Sequence, residues 1–188
     1  MSDSPVGILA GGGGLPLEIA RGIRGRGRGV HIVAIDGEAD ADFAGYSVTR
    51  VNWGQIGRMV TAFRQAGCRE LVIVGRVKRP DLRRIKPDLG LFLSLPKILR
   101  LITAGGDDGV LRRVVRFFEG KGFRVAAPSE VAPEIVVREG SLGRVGLARA
   151  EVADVQLADA VVGALGAFDI GQGAVVRHGR VLALEGAE

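Results

Sequence analysis

VGILAGGGGLP, residues 6–16, sets a short apolar run directly before four glycines and the start of a helix. The helical stretch extends from Leu15 to Arg24, and Pro16 suits its first turn because a helix does not use the amide donor there. Glycines at such a turn let backbone N–H groups approach a phosphate, and the helix N-terminus adds a partial positive charge. The segment therefore predicts a strand–turn–helix unit that suits an anion.

Strand and helix patterns then alternate along the first two thirds of the chain. Leu71 to Val74 is almost wholly apolar, which is typical of a strand buried on both faces of a parallel sheet. This alternation predicts an α/β fold, a Rossmann-like doubly wound parallel sheet. The other elements predicted for this region are strands at residues 30–35 and 123–126 and helices at 54–66, 91–104 and 107–120.

Charge divides the chain into two parts. Residues 1–127 carry 21 Lys and Arg against 12 Asp and Glu, whereas residues 128–188 carry 5 against 9. The basic part suits an anionic ligand. The predicted domains are a Rossmann-like N-terminal domain at 1–127, a linker rich in proline and glycine at 128–150, and the incomplete start of a smaller C-terminal α/β domain at 151–188.

The last part of the chain predicts one helix and one hairpin. The helix covers residues 151–167, and two short apolar runs at 174–177 and 180–184 flank His178-Gly179, a two-residue turn. One helix and one hairpin are marginal as an independent domain.

The composition is that of an ordinary globular chain, with 47% hydrophobic and 25% charged residues among 188. No apolar run approaches the roughly 18–20 residues that span a bilayer, and the N-terminus lacks the layout of a signal peptide, so we expect a cytoplasmic protein. A single cysteine, Cys68, excludes a disulfide framework, and two histidines exclude a multi-histidine metal site. Any metal must then be a hard cation on carboxylates.

The glycine turn matches part of a dinucleotide-binding fingerprint. Gly11 and Gly13 fit that fingerprint, Pro16 takes the place of its last glycine, and Asp36 ends the second strand, where a ribose hydroxyl would lie. No Gly-Lys-Ser/Thr follows, which excludes an ATPase P-loop. Two interpretations stay open: contact with a nucleotide, and a tight turn that binds nothing.

A cationic segment follows the most apolar strand, with Arg76, Lys78 and Arg79 in close succession after Gly75. Ligands of open α/β sheets bind outside the carboxyl ends of the strands, and guanidinium groups match phosphate geometry. The segment therefore predicts a loop whose cations neutralise the charge of a bound diphosphate. The alternative is a basic loop that is solvated and binds nothing.

Two further motifs carry polar groups that suit a ligand. Asp107 and Asp108 form a carboxylate pair that suits Mg²⁺, and they suit a helix N-cap equally well. Gln172 stands between two glycines and either presents its amide to a ligand or forms an ordinary helix-to-strand turn. The residues alone do not decide between these roles.

Taken together, the four segments resemble the LpxI-type UDP-2,3-diacylglucosamine pyrophosphatase family, in one order along essentially the whole chain. Each motif alone is weak, whereas the ordered set is specific. The residues that carry the resemblance are Ala10-Gly11-Gly12-Gly13 through Pro16, Gly75 with Arg79-Pro80-Asp81, Gly106-Asp107-Asp108 with Leu111-Arg112-Arg113, and Asp169-Ile170-Gly171-Gln172-Gly173-Ala174-Val175-Val176.

The resemblance implies a hydrolase that cleaves the diphosphate of UDP-2,3-diacylglucosamine in lipid A biosynthesis, releasing UMP and 2,3-diacylglucosamine 1-phosphate. It also implies Mg²⁺ as cofactor, attack of water at the α-phosphorus, and lipid bound between two α/β domains; the metal ligands stay unassigned. By resemblance, the catalytic candidates are Asp107 and Asp108, and the substrate-binding residues are Gly11, Gly12, Gly13, Leu15, Arg76, Val77, Arg79 and Gln172.

The family pattern continues beyond the point that corresponds to Glu188, and an acidic residue important for metal-dependent catalysis lies in that part. We therefore expect a truncated member of the family. Such a chain keeps the ligand-binding loops but has weak or no pyrophosphatase activity by itself.

Other functions and partners are weighed against this one. A non-hydrolytic nucleotide-binding α/β module is the main alternative, supported by Asp36 and the glycine turn. Nucleic-acid binding is not expected, because one Trp and one Tyr leave few stacking platforms beside the arginines at 21–28. The basic N-terminal domain suits peripheral contact with anionic headgroups at the inner membrane, and a homodimer stays open.

Overall fold

The computed structural model describes residues 4–77, 107–137, 139–140, 142–168 and 170–186. These residues fall into two compact units. Residues 4–77 and 110–137 form the first unit, and residues 107–109, 139–140, 142–168 and 170–186 form the second.

A sheet of five parallel strands forms the centre of the first unit. The strands are β1 (Val6–Ala10), β2 (Val30–Ile35), β3 (Ser47–Val51), β4 (Glu70–Val74) and β5 (Arg124–Val125). Their order across the sheet is β3-β2-β1-β4-β5, and every neighbouring pair is parallel. The chain order reverses beside β1, as it does in doubly wound sheets, so the α/β fold predicted from the alternation is confirmed.

The helices of the first unit pack on the sheet through one apolar face each. Helix α1 begins at Leu15 with Pro16 in its first turn, as the sequence predicts, and buries Ile19 and Ile23. The second helix is predicted at residues 54–66 and is observed at Ile56–Gln65, so only its end residues differ. The helices are α1 (Leu15–Gly25), α2 (Ile56–Gln65), α3 (Asp107–Glu119), which belongs to this unit from residue 110 on, and the short α4 (Pro128–Val131), followed by a 3₁₀ turn at Pro133–Ile135. The helix predicted at 91–104 lies outside the described residues.

Successive residues of β1 enter two hydrophobic layers, because side chains of a strand alternate between the faces of a sheet. Ile8 packs in the layer that α1 covers, whereas Leu9 packs in the layer that contains Phe63 and Phe118. A Cβ atom at Gly7 would lie 2.6 Å from Cδ1 of Phe63, so this glycine leaves the space that the ring fills. The parallel strands are therefore buried on both faces, as their apolar sequences predict.

Strand β3 has no counterpart in the predictions. Its sequence, Ser-Val-Thr-Arg-Val, lacks an apolar run, because the strand lies at the edge of the sheet and is largely exposed. Its polar side chains bind β2 instead: His31 Nδ1 lies 2.8 Å from Ser47 Oγ, and Nε2 lies 3.1 Å from Thr49 Oγ1. These contacts satisfy a buried imidazole whose pKa is lowered by desolvation.

The first unit extends past residue 127, where the predicted linker begins. Helix α4 follows β5 directly, and Val131 and Ala132 are buried in the same layer as α1. Glu134 lies beside Arg26 at the end of that helix, with 2.7 Å between Oε2 and Nη2. The segment up to Val137 is therefore part of the first unit.

Within its described residues, the second unit contains one complete helix, α5 (Arg149–Ala167), and a hairpin of β6 (Ala174–Arg177) and β7 (Arg180–Leu184). The hairpin turns at His178 and Gly179, both with positive φ, as the His-Gly turn predicts. The carboxylate of Asp154 in α5 accepts hydrogen bonds from both turn amides, at 2.8 and 2.7 Å. A side chain of the helix thus fixes the turn of the hairpin.

Of the helices within the described ranges, none is both long enough and apolar enough to cross a bilayer.

Candidate functional site

The carboxyl ends of β1 and β4 meet where the chain order of the sheet reverses. Strand β1 pairs with β2 on one side and with β4 on the other, and Ala10 lies opposite Val74 at the end of the second pair. Connections leave in opposite directions from such a point and open a crevice, in which α/β proteins bind ligands.

The glycine turn and the segment after β4 are joined by backbone hydrogen bonds. The Gly12 amide donates to the Arg76 carbonyl oxygen at 2.7 Å, and the Arg76 amide donates to the Gly12 carbonyl oxygen at 2.9 Å. The Gly11 amide donates to the carbonyl oxygen of Val74, also at 2.9 Å. The two segments therefore form one rigid edge rather than two separate loops.

Close approach of the two segments explains two of the glycines. A Cβ atom at Gly11 would lie 2.4 Å from the carbonyl oxygen of Arg76. Gly75 has a φ of +103°, and a Cβ there would lie 2.7 Å from the carbonyl carbon of Gly11. No side chain fits at either position, so this backbone contact requires glycine on both sides.

Asp40 occupies the next amide of the glycine turn. The Gly13 amide donates to Oδ1 of Asp40 at 2.7 Å, and Gly13 has a φ of +92°. This bond lowers the pKa of Asp40, and the nearby Arg76 guanidinium adds a smaller effect in the same direction. A carboxylate of the protein itself thus lies where the glycine turn offers an N–H group to an anion.

The start of α1 keeps unused donors. In the part of the chain that the structure describes, no partner is found for the amides of Gly14 and Leu15. These N–H groups lie at the positive end of the helix dipole. The Arg76 side chain is exposed on the segment joined to this turn, and Val77 beside it is 48% exposed. Anion-binding groups therefore remain at this edge, although three glycine amides are already bonded.

The structure brings together six of the sequence-predicted site residues, which are Gly11, Gly12, Gly13, Leu15, Arg76 and Val77. Arg79 lies outside the described residues. Asp107 and Asp108 are the first two residues of α3, and their side chains lie outside the description as well. Gln172 belongs to the second unit, where its backbone amide donates to Oε2 of Glu185 at 2.8 Å. Their roles in a site stay predictions.

Asp40 is the site residue that sequence reasoning missed. The fingerprint points to Asp36, an exposed carboxylate directly after β2, whose Oδ1 lies 4.0 Å from Nη1 of Arg50. Asp40 lies further along the same loop, within reach of the glycine turn. The available signal was an acidic residue after the strand that neighbours β1, at the crevice edge.

Three arginines near the end of α1, Arg24, Arg26 and Arg28, are engaged within the protein. Arg24 donates to the Gly45 carbonyl oxygen, and Arg28 pairs with Glu70 at 2.7 Å. Arg26 pairs with Glu134, as described above. These side chains stabilise the first unit, so the run is not a free basic surface.

The described residues at the crevice edge offer few ligands to a metal ion. Among the described residues, no group of three or more His, Cys, Asp or Glu side chains comes together in a way that could hold a metal ion. The carboxylate of Asp40 lies at this edge, and its Oδ1 is already bonded to Gly13. The described side chains therefore do not fit a magnesium site by themselves.

Comparison with known proteins gives matches along nearly the whole chain. Residues 5–135 match the model of the LpxI N-terminal domain, and residues 138–188 match that of the LpxI C-terminal domain. The chain is 37% identical over 183 residues to the UDP-2,3-diacylglucosamine pyrophosphatase LpxI of Caulobacter vibrioides. That alignment covers 97% of this chain and 65% of the relative, so the chain spans about two thirds of the relative's length.

Proposed function

Because this chain belongs to the LpxI family, we propose that it acts in the hydrolysis of the diphosphate of UDP-2,3-diacylglucosamine, in lipid A biosynthesis. The products are then UMP and 2,3-diacylglucosamine 1-phosphate. The name of the relative, a UDP-2,3-diacylglucosamine pyrophosphatase, supports this substrate. Coverage of only 65% of that relative keeps the activity a proposal for this chain.

The observation that carries the proposal is the joined edge at the end of β1 and β4. Hydrolysis of a diphosphate requires positioning and neutralisation of charge more than covalent chemistry by the protein. The amides of Gly14 and Leu15 supply donors at a helix N-terminus, and Arg76 supplies a guanidinium beside the glycine turn, with Nε 3.8 Å from the position of a Cβ at Gly13. These groups suit a diphosphate that lies across the turn.

Asp40 restricts how a diphosphate binds at this edge. Its carboxylate repels phosphate oxygens and holds the Gly13 amide. The phosphate groups therefore bind to the helix N-terminus and Arg76, or they displace Asp40 from Gly13. Either way, the mode differs from the dinucleotide fingerprint, in which the glycine amides themselves face the pyrophosphate.

Dependence on Mg²⁺ is part of the proposal through the resemblance alone. When bound, Mg²⁺ would neutralise charge on the phosphate oxygens. The described side chains form no ligand set for it. Residues of the chain therefore bind and orient the substrate in this proposal, and the assay with Mg²⁺ or EDTA tests whether a metal is required.

The experiment is release of UMP from UDP-2,3-diacylglucosamine by the purified chain, with Mg²⁺ or with EDTA, alongside titration with UDP. We expect Arg76→Gln to reduce affinity for UDP, and UMP release where it occurs, by about tenfold. Arg69→Gln is the matched control, because Arg69 is exposed directly before β4, at the opposite end of that strand from Arg76. Equal behaviour of the two variants, or no binding of UDP, contradicts the proposal.

A nucleotide-binding module without hydrolysis is the second candidate. The exposed Asp36 at the end of β2 favours it, because this position meets a ribose in dinucleotide-binding folds. A thermal-shift panel with NAD, FAD, UDP and UMP separates the two. Stabilisation by the uridine nucleotides alone supports the family activity, whereas stabilisation by NAD or FAD supports the alternative.

A further inference from the structure

A solvent-open groove of about 510 Å³ lies between α1 and the loop before β3. Its lining includes Leu17, Arg21, Arg24, Asp42 and Tyr46. None of the glycine turn, Asp40 or Arg76 lines it, so it is separate from the crevice edge.

Two cations share one wall of this groove. Arg21 and Arg24 are three residues apart on α1 and thus lie on the same face of the helix, where like charges destabilise each other. Within the described ranges, no ion pair joins either guanidinium to a carboxylate. An anion bound between them would relieve this repulsion.

Arg24 is held in place before any ligand binds. Its Nη2 donates to the Gly45 carbonyl oxygen at 2.6 Å, and its guanidinium carbon lies 3.6 Å from the centre of the Tyr46 ring. A fixed cation loses less entropy on binding an anion. Because the guanidinium covers the face of Tyr46, that face is closed to a stacked nucleobase.

The loop wall carries an acceptor rather than another cation. Oδ1 of Asp42 accepts a hydrogen bond from the Ala44 amide at 2.9 Å, which fixes this carboxylate at the groove. A carboxylate repels a second anionic group but accepts hydrogen bonds from hydroxyl groups. The lining therefore suits a ligand that has one anionic end and a hydroxyl-bearing body without an aromatic ring.

We propose that the groove binds a hexose phosphate. Its phosphate lies between Arg21 and Arg24, and a sugar hydroxyl donates to Asp42. This site is additional to the crevice edge and does not depend on the hydrolysis proposed above.

The test is titration of the full chain with glucose 1-phosphate and, separately, with inorganic phosphate. We expect saturable binding of glucose 1-phosphate that Arg21→Gln weakens by about tenfold. Arg26→Gln is the matched control: it removes the same charge from the neighbouring turn, but Arg26 pairs with Glu134 and does not line the groove. No binding at about 10 mM, or equal loss in both variants, overturns the proposal.

A second variant tests the sugar contact. Asp42→Asn keeps an oxygen for the Ala44 amide but removes the charge. We expect the preference for glucose 1-phosphate over inorganic phosphate to shrink by about threefold or more, because the variant loses a charged acceptor. Equal affinity of the unchanged protein for the two ligands, or a preference that Asp42→Asn leaves intact, overturns the assignment of a hexose phosphate.

Discussion

The interactions that stabilise the first unit internally differ from those that stabilise the second. In the first unit, the sheet is buried on both faces, and Phe63 lies fully buried in edge-to-face contact with Phe118 and Phe123. In the second unit, no described residue of α5 is buried, and β7 is exposed along its length. Hydrogen bonds of Asp154 and Glu185 to backbone amides fix its hairpin instead. Burial stabilises one unit, and polar contacts define the other.

This contrast between burial and polar contacts affects where a precisely positioned site can form. A site at the edge of a buried parallel sheet is kept rigid by the packing of the core. A loop of the second unit is fixed only by a few exposed hydrogen bonds. The joined edge of Gly12 and Arg76 is of the first kind. Gln172 is of the second kind, since its amide is bonded to an exposed Glu185.

The largest expected effect comes from removing a ring of the first core. Phe63→Ala should lower the free energy of unfolding by about 3–5 kcal/mol, because it empties a closely packed space. Leu182→Ala is the partner change in β7, where Leu182 is 61% exposed, and it should cost less than about 0.5 kcal/mol. Urea unfolding measures both. A large cost for Leu182→Ala would show that this face is covered in solution and would remove the contrast.

The next effect tests the backbone contact beneath the site. Gly11→Ala should cost about 1–3 kcal/mol and weaken UDP binding, because its methyl group collides with the Arg76 carbonyl oxygen. Gly14→Ala is the control at the same turn, where no atom lies within 4 Å of the added Cβ, and it should change stability by less than about 1 kcal/mol. Thermal unfolding and UDP titration of both variants provide the measurement. Similar stability of the two would refute the close approach.

Sequence reasoning succeeded where burial sets the pattern. The apolar runs of β1, β2 and β4 and the spacing of Met59, Val60 and Phe63 in α2 follow from contact with one core, so periodicity predicts them. Strand β3 escaped prediction because hydrogen bonds with His31, rather than apolar burial, select Ser47 and Thr49. Edge strands of this kind carry little periodic signal.

The location of the site could be predicted from the sequence, but the hydrogen bonds within it could not. The glycines and Arg76 follow two strands, and the rule for parallel sheets places them at one edge. That Arg76 contributes its backbone to Gly12, and that Asp40 takes the Gly13 amide, depends on loop paths that no residue pattern encodes. The sequence therefore predicts which segments meet and leaves their hydrogen bonds open.

A smaller, local effect should follow from Asp154→Asn in the second unit. The variant weakens the acceptor of the His178 and Gly179 amides, and their opening free energy should fall by about 1–2 kcal/mol. Asp159→Asn removes the same charge from α5 without touching the turn. Hydrogen exchange at the two turn amides is the readout. Unchanged protection in the first variant would mean that the hairpin holds its turn without the helix.

The smallest effect is a dependence of stability on pH. The pKa of Asp40 is lowered by the Gly13 amide, so the unfolded chain binds this proton more readily. The resulting stabilisation is present above the ordinary aspartate pKa and is lost as pH falls through the lowered value of the folded state. Asp40→Asn should flatten the acid side of a plot of melting temperature against pH. An unaltered acid side would contradict the role given to the Gly13 bond.

Titration of the ¹⁵N-labelled chain with UDP, followed by NMR, tests whether the diphosphate binds at the edge formed by the glycine turn and Arg76. We expect saturable shifts of the Gly14, Leu15 and Arg76 amides, and a further shift of the Gly13 amide if the nucleotide displaces Asp40. Binding of UDP that leaves these amides unmoved, with shifts confined to the second unit or to the Arg21 groove, would contradict binding at this edge.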